Sequence, residues 1–329
     1  MAKTFALIVT YGNHKVQLTE VLNKTLNNSK IDHVFIVDNG STYDLGREIP
    51  EIFSNKVFLI TLKENTGSAG GFGRGIREVV KYSKNNEDRL LILDDDSYAE
   101  FDALDKIDYL ENIFNHQHEH IWSLNRLQID ELPEPDNKSF DYSVKYYYNS
   151  FYRFSITNIF GKNRYQIKRN YKCIKNMAFA PYSGLLIGLS VINTVGFPNE
   201  EMYLYSDDIE YTFRIAESGI DILQTFDANI RDIAGSWYNS KESNVHDAFF
   251  EGTEENYRAL YAYRNEAYLA KYIMQKNRFL SNLNYYAWII NILRHMPKNK
   301  KGIKQFSKII KVVHMGRKKH LGQFKKIGR

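Results

Sequence analysis

Short aliphatic runs alternate with segments of helical spacing over the first hundred residues. The runs have the length and composition of buried strands and cover Phe5–Thr10, His33–Val37, Val57–Leu62 and Leu90–Leu93. Helices are predicted between them, at Val16–Leu26 and at about Ile76–Tyr82. Strands that alternate with helices at this spacing predict an α/β fold with a parallel, doubly wound sheet.

Polar residues follow each predicted strand. They are Thr10-Tyr11, Asp38-Asn39, the glycine-rich segment Asn65–Gly75 and the acidic triplet Asp94-Asp95-Asp96. Because parallel strands bind ligands beyond their carboxyl ends, these groups are expected to meet at one edge of the sheet. That convergence predicts a nucleotide site.

The acidic triplet is the strongest candidate for chemistry at that edge. Three neighbouring carboxylates repel one another at neutral pH unless a cation lies among them. Mn²⁺ or Mg²⁺ prefers oxygen ligands and bridges carboxylates to substrate phosphates, so a divalent metal is the leading interpretation. A solvated acidic turn after a strand is the alternative.

The glycine-rich segment contains no dinucleotide fingerprint and no P-loop, which disfavours those two classes of nucleotide site. Glycines ahead of a helix permit close backbone approach, and their N–H groups are expected to face phosphate or sugar oxygens. The alternative is a loop whose glycines are needed for packing.

Beyond the triplet, a helix is predicted over Phe101–Phe114, followed by an irregular, aromatic-rich stretch from Asp130 to Lys175. This stretch fits either a substrate loop or an insertion with a small core of its own.

A further helix is predicted to begin at Asp207, with Ser206 as its N-cap. Asp208 is then a candidate general base, and Glu210 and Arg214 can pair at i, i+4 spacing. A well-capped helix without catalytic function is the alternative.

Charge is divided unevenly along the chain. Residues 271–329 contain 16 Lys and Arg and no acid, whereas residues 1–270 have a net charge of −11. Helices are predicted at Asn256–Met274 and Phe279–Met296, and a basic amphipathic tail follows Pro297. This tail fits docking on an anionic membrane surface, or equally helices packed on the catalytic domain with a solvated basic face. No nucleic-acid-binding motif appears, so nucleic acid is not expected as a partner.

The single cysteine, Cys173, fits a reducing compartment, and no apolar stretch is long enough for a transmembrane helix. No signal peptide is recognised either, so a cytoplasmic location is expected, with peripheral binding to the inner face of the membrane as a further option.

The ordered motifs resemble glycosyltransferase family 2. They are Val9-Thr10-Tyr11, Val37-Asp38-Asn39-Gly40-Ser41, Asn65-x-Gly67-x-Ala69-Gly70-Gly71, Leu93-Asp94-Asp95-Asp96, Ser183-Gly184 and Asp207-Asp208-x-Glu210-x-x-x-Arg214. The pattern is most similar to the bacterial galactofuranosyltransferase and rhamnosyltransferase branch. It covers roughly residues 4–235, and Tyr263-Arg264-Asn265 is similar to a further element of the family.

The resemblance implies a GT-A fold, which is Rossmann-like with a mostly parallel sheet and helices on both faces. It also implies an NDP-sugar donor, a divalent metal and inversion at the anomeric carbon. Asp38 would hold the base, Asp94 the ribose or base, Asp96 the metal, and Asp208 would deprotonate the acceptor. The full set expected at the donor is Thr10, Tyr11, Asp38, Asn39, Asn65, Gly67, Ala69, Gly70, Gly71, Arg74, Asp94 and Asp95. On the acceptor side we expect Ser183, Gly184, Asp207 and Trp237.

The sequence departs from the family where a metal-binding His often precedes a Trp. The corresponding stretch, Asp232–Trp237, has no His. The candidate third ligand beside Asp96 and Asp94 is therefore Asp232, His246 or a water molecule. We therefore expect a catalytic domain over residues 1–235, with a variable acceptor segment at 130–180, and a helical basic region over 236–329.

The expected function is an inverting transferase that adds galactofuranose from a UDP-sugar, or rhamnose from a dTDP-sugar, to a growing, lipid-linked cell-surface polysaccharide. Two alternatives are a sugar nucleotidyltransferase and a non-catalytic scaffold of a membrane-associated assembly complex. A homo-oligomer is also left open.

Overall fold

A computed structural model of the chain describes residues 2–114, 120–127, 140–169, 171–233 and 256–324. Trp237 and His246, two of the predicted site residues, lie outside these ranges.

Nine strands of the described residues form one sheet, and two more form a separate small ribbon. The strands are β1 (Thr4–Gly12), β2 (His33–Ser41), β3 (Val57–Thr61), β4 (Arg89–Asp94), β5 (Ser97–Ala99), β6 (His120–Leu127), β7 (Phe140–Tyr142), β8 (Gln166–Lys168), β9 (Ile174–Met177), β10 (Leu185–Gly188) and β11 (Asp221–Asp232). The main order is β3-β2-β1-β4-β10-β6-β11-β5, with β9 beside β11, and β7 and β8 make the ribbon. All four strands predicted in the first hundred residues are confirmed.

The directions of the central strands decide what meets at the functional edge. Strands β1, β2, β3 and β4 are mutually parallel, as predicted. Strand β10 is antiparallel to both β4 and β6, so β6 runs in the same direction as β4, and β11 pairs parallel with β6. The carboxyl ends of β1, β4, β6 and β11 therefore lie along one edge.

Helices cover both faces of the sheet, as expected for a doubly wound fold. They are α1 (Lys15–Leu26), α2 (Leu45–Glu48), α3 (Gly67–Tyr82), α4 (Ala103–Phe114), α5 (Ile156–Gly161), α6 (Leu189–Val195), α7 (Asp207–Glu217), α8 (Asn256–Tyr268), α9 (Arg278–His295) and α10 (Lys300–Arg317). Leu22 of α1 and Ile107 of α4 pack in the core on one face of the sheet, while Ile76 of α3 and Tyr211 of α7 pack in the core on the other. A π-helical turn follows α8 at Leu269–Ile273.

The glycine-rich segment is helical, which corrects the prediction of a loop before Ile76. Helix α3 begins at Gly67 and includes the remaining glycines of the segment. A Cβ on Gly71 would lie 2.6 Å from Val9 Cγ1, so the glycines allow the helix to pack directly on the strands. Close packing against the sheet has overridden the weak helix propensity of glycine.

The C-terminal helices share a core with part of the irregular stretch after β7. Phe151 is fully buried against Trp288 of α9, in a cluster that also contains Tyr263 of α8 and Ile309 of α10. This part of the stretch therefore packs on the C-terminal helices and has no separate core. Within the described residues, no helix has the length and apolar character required to cross a membrane.

Candidate active site

A cleft of about 750 Å³ opens at the carboxyl edge of the sheet. Its floor is formed by the strand ends, including Tyr11, Asn39 and the acidic triplet Asp94–Asp96. The loop before α7 and the first turn of that helix form a second wall, which contains Asp207 and Asp208. The third wall comes from the C-terminal helices and the residues that follow them.

Arg126, at the end of β6, lies among three carboxylates. Its guanidinium is 2.8 Å from Asp232, 3.6 Å from Asp94 and 4.0 Å from Asp96. The strand directions explain this arrangement, because β4, β6 and β11 all end at this edge. The cation expected among the acidic residues is thus supplied in part by the protein itself, from a residue that the sequence analysis did not select.

Arg126 is shared among three carboxylates, and a cluster of this kind favours additional positive charge, such as a divalent cation supplies. Burial, and then the neighbouring Asp96 and Asp95, raise the pKa of Asp94 to about 7 despite the opposing effect of Arg126. A positive charge placed near Asp94 would therefore stabilise the ionised form of its carboxyl.

The donor atoms therefore fit Mn²⁺ or Mg²⁺ held by Asp96 and Asp94. In the described part of the chain, no three His, Cys, Asp or Glu side chains form a complete metal cage. Such a cage is not required, because Mg²⁺ is commonly held by one or two carboxylates together with substrate phosphates and water. Asp232, the weaker candidate ligand, is instead the closest partner of Arg126.

Asp95 has a separate role from its two neighbours. Both of its carboxylate oxygens lie 3.0 Å from Nδ1 of His14, and the carboxylate is buried. This hydrogen bond is the main reason why the pKa of His14 is raised. The pair ties the triplet to the start of α1, beside Tyr11, whose ring lies 4.8 Å from that of His14.

The amide of Asn39 fixes the glycine-rich helix to the end of β2. Its Oδ1 accepts hydrogen bonds from the backbone and hydroxyl of Thr66, and its Nδ2 donates to the carbonyl of Gly67 at 2.8 Å. Asn65 Oδ1 similarly accepts from the Gly67 N–H at 2.9 Å. Asp38 accepts from the backbone N–H groups of the two residues that follow Asn39. These groups shape the floor of the cleft through internal bonds.

The loop before α7 has an unusual backbone. Tyr203, Tyr205 and Ser206 all have positive φ, between 59° and 65°. Helix α7 begins at Asp207 as predicted, but Ser206 does not cap it, because left-handed geometry turns its hydroxyl to Glu266 at 3.4 Å. The predicted Glu210–Arg214 pair is present at 2.8 Å.

Two fully buried side chains of α8 hold this strained loop. Asn265 Nδ2 donates to the carbonyls of Met202, Leu204 and Tyr205 at 2.7–2.9 Å. Arg264 donates to the same Met202 carbonyl at 2.7 Å and also to that of Gly322. The Tyr263-Arg264-Asn265 element therefore positions the approach to Asp208 and attaches the end of the chain to it.

Replacing Asn265 with Ala should destabilise the protein by about 1–3 kcal/mol, because the carbonyls of Leu204 and Tyr205 in a strained loop would lose the amide donor, whereas that of Met202 keeps Arg264. Urea unfolding measures this change. The exposed Asn291 of α9 offers a matched control, and its Ala variant should stay within about 0.5 kcal/mol of the parent. Equal stability of the two variants would mean that Asn265 does not hold the loop.

Asp207 and Asp208 are adjacent carboxyls with different surroundings. Asp207 is buried and accepts a hydrogen bond from Ser68 at 2.9 Å, whereas Asp208 is only partly buried and its Oδ1 accepts from the backbone of Ile209 at 2.8 Å. Burial raises the pKa of both, and the charge of Asp208 raises that of Asp207 further. Asp208 is thus the less buried carboxyl of the pair.

Residues that follow α10 form part of the cleft. The Phe324 ring packs at a tilt on Tyr261 of α8 with ring centroids 4.2 Å apart, and the Gln323 amide donates to the Tyr203 hydroxyl at 3.0 Å. Arg258 of α8 and Lys308 of α10 also line the cavity. The sequence left two alternatives open for this region, docking on a membrane or packing on the catalytic domain with a solvated basic face, because charge alone does not show which face of a helix packs.

The structure brings ten of the predicted residues to the cleft, namely Tyr11, Asn39, Asn65, Gly67, Asp94, Asp95, Asp96, Ser183, Asp207 and Asp208. The others that can be placed lie behind its surface or away from it, and these are Thr10, Asp38, Ala69, Gly70, Gly71, Arg74, Gly184 and Asp232. Arg74 pairs with Glu78 on the outer side of α3, because the helix starts two turns earlier than predicted. The lining residues that were not predicted include His14, Arg126, Tyr203, Arg258, Lys308 and Phe324.

The sheet, the helices on both of its faces and the cleft at its carboxyl edge define a GT-A-like α/β protein. Residues 6–160, just under half of the chain, match the family model described as Glycosyl transferase family 2. The resemblance found in the sequence is thus supported over this region at the level of the family, though not of the galactofuranosyl or rhamnosyl branch. No curated protein matches the chain.

Solved structures agree on the fold. S. aureus TarS 1-349 in complex with UDP-GlcNAc matches with a TM-score of 0.53 and 13% identity, over 95% of this chain and 81% of that one. GalNAc-T7 with UDP, GalNAc and Mn²⁺ matches with a TM-score of 0.56 and 9% identity, over 99% of this chain and 55% of that one. At these identities the likeness concerns the fold, and the family match supports a glycosyltransferase.

Proposed function

We propose that this chain is an inverting, metal-dependent glycosyltransferase that uses an NDP-sugar donor. The observation that carries the proposal is a single cleft with two kinds of chemistry. It holds a carboxylate cluster around Arg126, suited to a metal and a diphosphate, and a separate carboxylate, Asp208, suited to a base. UDP-galactofuranose and dTDP-rhamnose are the favoured donors, and a hydroxyl of a growing, lipid-linked polysaccharide at the inner face of the membrane is the favoured acceptor.

Asp208 receives the proton in this reaction. The acceptor oxygen forms a bond to the anomeric carbon, the bond from that carbon to the phosphate oxygen breaks, and the NDP leaves with the electron pair. The acceptor proton passes to Oδ2 of Asp208, because Oδ1 already accepts from Ile209. One carboxylate base is sufficient for a single displacement with inversion.

Negative charge develops on the leaving diphosphate during this step. Arg126 lies at the centre of the cluster and is placed to stabilise that charge. Mn²⁺ or Mg²⁺ held by Asp96 and Asp94 would supply further charge neutralisation. The hydrogen bond that Arg126 donates to Asp232 orients its guanidinium, and the hydrogen bond between His14 and Asp95 holds Asp95 beside the site.

The rate should depend on pH through two carboxyls. Burial raises the pKa of Asp208 to about 6, and a base must be ionised, so kcat should fall as the pH drops below about 6. Asp94, whose pKa is about 7, should weaken donor binding as it becomes protonated at lower pH. Measuring kcat and donor KM separately between about pH 5 and 8 tests this. A kcat that is flat across this range would exclude Asp208 as the base.

Product analysis distinguishes this function from the alternatives. The purified protein is incubated with Mn²⁺ and each candidate NDP-sugar, with a crude lipid-linked glycan fraction as acceptor. A transferase releases NDP and labels the glycan, whereas a nucleotidyltransferase running in reverse with pyrophosphate yields a nucleoside triphosphate and a sugar phosphate. Absence of both products with every donor would favour the non-catalytic scaffold.

A further inference from the structure

Helix α10 presents lysines at helical spacing along one side. Lys304, Lys308 and Lys311 are separated by four and three residues, so they lie on one face, with axial steps of about 6 Å and 4.5 Å. The packed face of the same helix contains Gly302, Gln305, Ile309, Val312, Val313 and Gly316. A Cβ on Gly316 would overlap the Arg264 carbonyl, so the contact with α8 is close and the direction of the lysine face is fixed.

The three lysines, which we call the lysine stripe, connect the outer surface with the cleft. Lys308 is half-buried and lines the cavity, while Lys304 and Lys311 are exposed on either side of it. None of the three forms an ion pair with another residue in the described ranges of the chain. Within these ranges their charge is therefore not used to stabilise the packing of α10.

From residue 271 onward the sequence contains no Asp or Glu, and the carboxylates of the cleft lie at the strand ends and in the first turn of α7. A row of lysines that forms no ion pair within the described residues attracts a partner with repeated negative charge. A flat bilayer could meet Lys304 and Lys311 but not enter a cleft to reach Lys308, which favours a flexible chain.

We propose that the lysine stripe binds an acceptor glycan that carries repeated anionic groups, either phosphate or carboxylate, and guides it into the cleft at Lys308. The identification of this ligand as the acceptor rests on the proposed transferase function. The anionic chain lies along α10, and its end reaches the side of the cleft that contains Asp208.

Direct binding to the full chain tests this proposal. The probes are inorganic polyphosphate and polygalacturonate, with neutral dextran as the uncharged control and vesicles with and without anionic lipid as a separate arm. One variant replaces Lys304, Lys308 and Lys311 with Gln. A matched variant replaces Lys298, Lys318 and Lys319, exposed lysines at the two ends of α10, so that both lose the same charge.

We expect the stripe variant to bind at least one charged polymer about tenfold more weakly than the parent, and the matched variant within about twofold. The stripe variant should also show the shallower dependence of affinity on salt. Thermal midpoints equal to that of the parent show that the variants are folded. The single variant Lys308→Gln repeats the binding test with the least change to the helix.

Equal weakening in the two triple variants would overturn the proposal, because net charge alone would then explain binding. Loss of vesicle binding with unchanged polymer binding would overturn it in favour of a lipid surface. The polymer-binding assay contains no donor and no turnover, so a negative result in it does not test the proposed transferase function. A failure to bind any NDP-sugar would likewise leave the measured polymer affinity unchanged.

Discussion

Asp208→Asn should reduce transfer by about 10³-fold while leaving donor affinity within a few-fold of the parent. The amide keeps the shape of the carboxylate but cannot accept the acceptor proton. Asp208 belongs to the α7 wall of the cleft, whereas the acidic triplet belongs to the strand ends, so removing its charge should leave the donor subsite intact. Steady-state transfer assays measure the loss, and calorimetric titration with the NDP measures donor affinity.

Asp221→Asn is a suitable control for this variant, because Asp221 is an exposed residue at the start of β11. It should retain full activity. Retention of more than about a tenth of the activity by Asp208→Asn would show that another group accepts the proton. A parallel loss of donor affinity would show that the carboxylate serves binding instead.

Asp96→Asn should lower kcat/KM by at least about 100-fold and remove most of the stimulation by Mn²⁺. Asp96 is buried at the cluster, with its carboxylate 4.0 Å from Arg126, so Asp96→Asn removes the charge of a hard oxygen donor. Activity measured against Mn²⁺ concentration should show a weakened metal requirement, and donor affinity should fall with it.

Asp95→Asn provides the comparison within the triplet. Asp95 is bound by His14, and its replacement should leave Mn²⁺ dependence largely unchanged even if stability declines. Equal effects of the two variants on the Mn²⁺ titration would contradict the division of roles within the triplet. Full Mn²⁺ dependence in Asp96→Asn would place the metal elsewhere.

The floor of the cleft could be predicted from sequence because the rules behind it are local. Each early strand is a continuous apolar run, and parallel strands place whatever follows them at one edge. The acidic triplet, Tyr11 and Asn39 were found in this way. Asp207 and Asp208 were found through the start of a helix and its resemblance to a known motif.

Arg126 could not be predicted in the same way, although a signal was present. Ile121-Trp122-Ser123-Leu124 is an apolar run followed shortly by an arginine, but the run is interrupted by Ser123. Its closeness to Asp94 depends on strand order, since β10 inserts between β4 and β6 from later in the chain. Sequence spacing carries no information about such an insertion.

Tertiary packing explains the other differences between prediction and structure. A loop was predicted for the glycines of α3 because glycine has low helix propensity. The helix is explained by its close packing on Val9 and Leu7 of β1, which leaves no room for larger side chains at Gly71 and Gly75. Tyr263-Arg264-Asn265 was recognised in the sequence only as similar to an element of the family, and the contacts of Arg264 and Asn265 with the strained loop depend on the tertiary fold. The basic tail was recognised by its charge, but its place in the cleft wall depends on which face of α10 packs.

A thermal-shift screen of NDP-sugars tests the central claim most directly. In the presence of Mn²⁺, the parent chain is titrated with UDP-galactofuranose, dTDP-rhamnose and a set of UDP-hexopyranoses, alongside Asp96→Asn. We predict that at least one donor raises the melting temperature of the parent in a Mn²⁺-dependent manner and that Asp96→Asn loses this shift. A parent chain that none of these donors stabilises, with or without Mn²⁺, would contradict the proposal that the cleft is a nucleotide-sugar site.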